Sequence, residues 1–374
     1  MKKEDKVMNR NSSQMSVMVR SLLATSTLVV ATAQAADPVK APAPAGSKAE
    51  AMVVLPENCN TTDGMCLLPD KSFLISIPNF NDEKDPPMIM RITKERKAEV
   101  FYTFPNPYPG LEEKLNRIRP MGISRAPDGN LYLADMQYMI NPNQKSRLWK
   151  LVVKQNKVEN MILVASGFGV ANGTVIHDGY CYITESVLEE GSHPLTSAVL
   201  RFRLDEENVK LTTPLTKDPH IIATFKSNKN DWRFGADGIA FDSKGNLFVG
   251  LFGEGQIYKV KFDKEGAVVS NKLFCEAPGK LINCDGMSCD LVTDKLYVAD
   301  SAANAIQIIS PDGTIKTLAQ NEDVIDKTTG QLDQPCEAMV RGDEVIVSNM
   351  DWPFPGMRNS KHTMPAVISV IKKK

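Results

Sequence analysis

A stretch from Gly235 to Val260, GADGIAFDSKGNLFVGLFGEGQIYKV, sets the terms for the whole chain. Ile239 and Phe241 alternate with small or polar neighbours, the period of two that marks a half-buried strand. Ser243-Lys244-Gly245-Asn246 is a turn, Leu247 to Leu251 a second strand, Gly253-Glu254-Gly255 another turn, and Gln256 to Lys261 a third strand. Asp237 heads the first strand, before a glycine, where packing does not call for a carboxylate. The unit recurs as DGMCLLPDKSFLISI from Asp63, PMGISRAPDGNLYLADM with Met121 at the acid position, and VANGTVIHDGYCYITES with Asn172 there. NCDGMSCDLVTDKLYVADSAANAIQII follows with Asp285, and CEAMVRGDEVIVSNMD with Glu337. The spacing averages roughly 55 residues, near that of propeller blades. No stretch sustains a helical period. The expected fold is therefore all-β, a six-bladed propeller of four-stranded antiparallel blades spanning 52–374, in which radial arrangement protects the sheet edges. Met52 to Leu55 is expected to pair with the C-terminal strand Ala366 to Ile371 and close the ring.

Residues 1–35 read as a secretory signal peptide. Lys2, Lys3, Lys6, Arg10 and Arg20 form a basic leader, Ser21 to Ala31 an apolar core, and Ala33-Gln34-Ala35 a cleavage pattern. Met8 and Met15 are alternative starts. The core is shorter than the ~20 apolar residues of a membrane span, and no later segment is long enough to be one. The location implied is periplasmic or secreted. An Ala/Pro-rich linker is expected over 36–51. Export permits disulfides, and seven cysteines leave at least one unpaired. Cys284 and Cys336 either meet near the axis or are small buried residues. A formal net charge of −1 gives no electrostatic footprint for nucleic acid.

First strands line a propeller's channel, so their heads converge at one mouth. Asp63, Met121, Asn172, Asp237, Asp285 and Glu337 are expected there, with Glu57 a rival to Asp63. Crowded carboxylates push one another toward protonation. A divalent cation relieves this, and oxygen donors without histidine or cysteine favour Ca²⁺. Asp-Gly is also an ordinary turn pair, which suits Asp128-Gly129 and Asp178-Gly179. His177 reads as a core histidine. Arg119 stands where it can meet a substrate oxygen or serve as a surface cation. The loops Pro105–Pro120 and Met350–Met364 are long enough to be functional.

VANGTVIHDGYCYITES and the stretch from Gly235 resemble the family of gluconolactonase and regucalcin, the senescence marker protein. The resemblance spans about Asp63 to Asp351. It implies metal ligation by Asn172 and Asp237, with Asp63 at the position of a family glutamate. The family's polar group in blade two is replaced by Pro120-Met121. RPMGISRAPDGNLYLADM is more similar to the strictosidine-synthase-like branch of six-bladed propellers. The function implied is a Ca²⁺-dependent lactonase or esterase-type hydrolase, with Asp237 or Asp285 as general base and Arg119 and Glu337 binding substrate. The alternatives are a non-catalytic propeller with a structural cation, whose loops bind a small ligand or protein partner, and a condensing activity needing a channel glutamate, for which Glu337 is the candidate.

Overall fold

The computed structural model describes residues 47–112, 115–229, 232–323, 329–352, 354–359 and 361–373. The signal peptide and most of the linker expected before the fold lie outside them. Six antiparallel sheets form six blades. The N-terminal strand β1 (Glu50–Val54) belongs to the last. Blade one is β2 (Met65–Leu67), β3 (Phe73–Ile77), β4 (Met88–Ile92) and β5 (Ala98–Thr103). Blade two is β6 (Pro120–Arg125), β7 (Leu131–Asp135), β8 (Ser146–Lys154) and β9 (Lys157–Phe168). Blade three is β10 (Ala171–His177), β11 (Tyr180–Glu185), β12 (Leu195–Arg203) and β14 (Ile221–Ser227). Between these last two strands β13 (Val209–Lys210) crosses to pair parallel with β9. Blade four is β15 (Ala236–Phe241), β16 (Leu247–Leu251), β17 (Gln256–Phe262) and β18 (Val268–Glu276). Blade five is β19 (Met287–Asp290), β20 (Lys295–Asp300), β21 (Ala305–Ile309) and β22 (Ile315–Gln320). Blade six is β23 (Pro335–Arg341), β24 (Glu344–Asn349) and β25 (Val367–Lys372), completed by β1. Among the described residues there is no α-helix.

The ring closes as expected: Glu50 pairs with Val370 and Val54 with Val367. The fold begins earlier than Met52, however. Ser47 N–H donates to the Leu318 carbonyl at 2.8 Å and Ala49 is buried, so the end of the expected linker is packed chain. Strand alternation places one apolar cluster at each seam between blades. Tyr132, Leu148 and Phe168 of blade two meet Ile183 and Phe202 of blade three. Tyr182 and Val199 meet Phe241 and Val249 at the next seam. Met52, Ile346 and Ile368 meet Phe73 and Met90 where the ring closes. Full burial of each such side chain is worth about 1.5–3 kcal/mol. Asp178 (φ 45°) and Gly179 (φ 79°) make the tight β10–β11 turn, confirming the structural role expected for that pair. All seven cysteines are free, and Cys284 and Cys336 are buried singly.

Candidate functional site

Pairing fixes which residue heads each innermost strand. Met65, Ile123, Thr174, Ile239, Met287 and Ala338 pair with Ile75, Leu133, Ile183, Val249, Val298 and Val347 of the second strands. Two residues earlier stand Asp63, Met121, Asn172, Asp237, Asp285 and, in blade six, Cys336. This corrects the sequence reading: Glu337 is one residue past the head, at the place glycine holds in the other five blades. The head ring therefore carries three carboxylates and an amide, and it includes a thiol.

The glycine after the head in blades one to five lets the blades meet at the axis. A Cβ on Gly173 would lie 2.5 Å from the Asp237 carbonyl oxygen, and one on Gly286 2.5 Å from that of Cys336. Each head's main chain is thus pressed against the preceding blade. In four blades the strand bulges here, which re-aims the head side chain. Hydroxyls of the second strands fix three heads. Ser76 Oγ donates to the Met121 carbonyl (2.6 Å), Thr184 Oγ1 to that of Asp237 (2.9 Å) and Ser348 Oγ to that of Asp63 (2.7 Å).

Asp63, Met121, Asn172, Asp237 and Asp285 line one cleft of about 40 Å³ with Met136, Val170, Phe234, Phe252, Met350, Trp352 and Phe354. Asp63 is 7 %, Asp237 5 % and Asp285 7 % exposed, whereas Glu57 faces solvent and is no rival. Burial pushes the Asp63 carboxyl up to about 7. Burial, then the charges of Asp63 and Glu337, push Asp237 well above the usual carboxylate range, and a hydrogen bond from Asn172 opposes the shift. Burial, then Asp237 and Asp63, do the same to Asp285. Among the described residues no basic side chain lines the cleft.

A second set of acids looks similar in sequence but is spent on structure. Asp135, Glu185 and Asp300 end the second strands of blades two, three and five. Asp135 accepts from Arg119 N–H (2.8 Å), Gln137 Nε2 (2.6 Å), Arg147 Nε (2.7 Å) and Trp149 Nε1 (3.0 Å). Glu185 accepts the N–H groups of Gly169, Val170 and Val187 at 2.6–3.0 Å. These latches hold the crossovers between blades. By contrast, among the described residues Asp63 accepts only its neighbour's N–H (Gly64, 2.8 Å), and Asp285 accepts that of Gly286 (3.0 Å). The head acids therefore keep lone pairs free, and hard, anionic oxygen donors with spare capacity suit a divalent cation. Among the described residues no three His, Cys, Asp or Glu side chains form a metal-holding group. The oxygen donors lining the cleft are the carboxylates of Asp63, Asp237 and Asp285 with the Asn172 amide.

Glu337 faces the other way, into a cavity of about 490 Å³ at the opposite end of the channel, also lined by Arg125, His177, Asp242 and Cys289. Burial raises its carboxyl well above the ordinary value. His177 lines this cavity and stacks on Phe241 at 3.9 Å. Arg119 is buried beside the mouth without lining it. Its guanidinium pairs with Glu83 at 2.9 Å and donates to Gln137 Oε1 at 3.0 Å. The Met350–Met364 loop supplies Trp352 and Phe354 to the mouth, with Trp352 stacked on Phe80 at 4.7 Å. The Pro105–Pro120 loop instead packs on the flank of blade two, with Tyr108 against Trp149 at 5.5 Å.

The fold and the acid-rich mouth define a six-bladed propeller with a polar centre at one end of its channel. Solved structures share that fold. A luciferin-regenerating enzyme aligns with a TM-score of 0.57 at 11 % identity, over 88 % of this chain and 98 % of that one. Regucalcin from Agrobacterium tumefaciens, described as a calcium-binding protein, aligns at 0.54 and 11 % identity, over 88 % of this chain and 96 % of that one. A gluconolactonase from Xanthomonas campestris aligns at 0.52 and 11 % identity, over 87 % and 89 %. No family model and no curated protein matches the sequence.

Proposed function

We propose that the chain is a divalent-cation-dependent hydrolase of lactones or esters, with its centre at the acid-rich mouth. The observation that carries this reading is the gathering of Asp63, Asn172, Asp237 and Asp285 in one buried cleft, where the carboxylates raise one another's pKa and, among the described residues, no basic side chain lines the wall. Asp63, Asn172 and Asp237 would hold the ion, with Ca²⁺ favoured by the all-oxygen set. A bound cation would polarise the ester carbonyl and acidify water. Asp285 stands beside this set as the general base, with Asp237 the alternative. The base takes a proton as water oxygen bonds to the carbonyl carbon. The ring or ester C–O bond then breaks, and the proton passes to the departing alkoxide. Likeness to proteins described as a gluconolactonase and a calcium-binding regucalcin supports the reading through the fold. It is tested by assaying aldonolactones, acyl lactones and aryl esters with and without chelator. Turnover that chelator abolishes and Ca²⁺ restores is the expected result.

A non-catalytic propeller stapled by a cation is the second reading. It is favoured by the size of the cleft, about 40 Å³, far below the ~300–1,000 Å³ of ordinary ligand pockets. No turnover, with chelator lowering only the melting temperature, would select it. The basic leader and apolar core of residues 1–35 support export to the periplasm or beyond, which fractionation of the expressed full chain would test.

A further inference from the structure

The wall of the mouth is largely apolar. Of the described side chains lining it, the polar ones are Asp63, Asn172, Asp237 and Asp285, the candidate ion-holding and base residues themselves. The rest of the wall is methionine, valine, phenylalanine and tryptophan. Phe80, Tyr138, Trp232, Phe234, Trp352 and Phe354 stay half-exposed around it. Aromatic residues are only 7 % of the chain, so their gathering at one rim is not average surface. They form a connected frame: Trp352 meets Phe354 at 4.8 Å, Phe234 meets Tyr138 and Phe252 at 6.1 Å each, and Trp232 Nε1 donates to the Pro355 carbonyl at 3.1 Å.

A polyhydroxylated lactone needs a partner for each hydroxyl. Here those hydroxyls would meet thioethers and ring faces, at a cost of about 1–3 kcal/mol for each polar group left unpaired. Arg119, the candidate the sequence offers for such a contact, is committed to Glu83 and Gln137. The carboxylates, and the absence of a basic side chain from the described lining, also disfavour an anionic guest.

Resting on the hydrolase reading above, we infer that the substrate class is neutral, alkyl- or aryl-substituted lactones and esters rather than sugar lactones. The small cleft beneath takes the ion and the reacting carbonyl, while the alkyl or aryl part lies on the aromatic rim.

The test uses the full chain with Ca²⁺, δ-decanolactone and glucono-δ-lactone, following both hydrolysis and quenching of tryptophan fluorescence. A kcat/KM at least about a hundredfold higher for δ-decanolactone is expected. Trp352→Ala and Phe234→Ala should raise its KM about tenfold with kcat nearly unchanged. Equal or better turnover of glucono-δ-lactone would overturn the inference and leave the hydrolase reading standing. Saturable quenching by δ-decanolactone alone, lost in Trp352→Ala and without hydrolysis of either compound, would sink the hydrolase reading but keep the apolar guest. Neither hydrolysis nor quenching would remove both.

Discussion

The Asn172 carboxamide and the Asp237 carboxylate share one cleft across the seam between blades three and four, and the amide favours the charged form of the acid. The two residues head innermost strands 65 positions apart in sequence, and the bulged strand heads turn both toward one cleft. Asp237→Ala should remove Ca²⁺-induced stabilisation and lower lactone or ester hydrolysis at least about a hundredfold. Asn172→Ala should weaken Ca²⁺ binding about 10–100-fold. Calorimetric titration with Ca²⁺ and the hydrolysis assay check both, and an Asp237→Ala protein that binds the ion and keeps its activity would end the proposed mechanism.

The buried acids make metal-free stability depend on pH. Asp63 moves from 3.8 to about 7 on folding, and Asp237 and Asp285 shift the same way. The folded chain therefore holds more protons than the unfolded chain between those values, so stability falls as pH rises. The contribution is present near pH 3.8 and is lost through about 7. A melting series in chelator should show this decline, and Ca²⁺ should oppose it most strongly at the alkaline end. A flat series would mean that the head acids titrate normally.

The glycine ring predicts sharp differences among glycines. A Cβ on Gly122 would lie 2.6 Å from the Asn172 carbonyl oxygen and 2.8 Å from Thr174 N, both main-chain atoms. Gly122→Ala should cost about 3 kcal/mol or more, since overpacking here must separate two blades. At Gly179 a Cβ meets nothing within 4 Å, and only its φ of 79° is unfavourable. Gly179→Ala should cost about 1 kcal/mol. Urea unfolding of both variants decides whether the seam is as tight as described.

The blades, their order and five of the six heads were legible in the sequence, because period-two strands and Asp-Gly or Asn-Gly heads are local signals. Blade six was misread for a local reason too. It lacks the glycine, so its glutamate stood out as the marker. The hairpin count carries the correct answer. Asp63, Met121, Asn172, Asp237 and Asp285 precede the small residue of their second strand (Ser76, Ala134, Thr184, Gly250, Ala299) by 12–14 positions. Cys336 precedes Ser348 by 12 and Glu337 by 11. The latch acids were visible as the ends of LYLAD, YITE and LYVAD but carried no role until their loop partners were placed. The aromatic rim draws on blades one to four and the Met350–Met364 loop, so no single stretch announces it.

The latches should matter for stability and not for the reaction. Asp135 is buried and pairs with Arg147 at 2.7 Å, with both side chains nearly excluded from solvent. Asp135→Ala strands that guanidinium and the Trp149 N–H, at a cost of about 3–5 kcal/mol. Urea unfolding should show the loss, while the KM of the folded fraction stays unchanged.

Glu337 offers the opposite case. It replaces a glycine, faces the larger cavity, and its charge is disfavoured by burial and by Asp63 and Asp285. Its folded pKa lies well above its ordinary 4.5, so near and below 4.5 the side chain is neutral in the folded protein and costs nothing. As pH rises, the unfolded chain ionises first and stability is lost. Glu337→Gln keeps the shape and removes the charge. It should leave stability unchanged near and below pH 4.5 and raise it progressively as pH rises above that value, by about 1–3 kcal/mol in chelator. Were Glu337 instead holding a cation, the same variant would lose stability when Ca²⁺ is present, so melting curves with and without the ion separate a buried, unpaired carboxyl from a ligand.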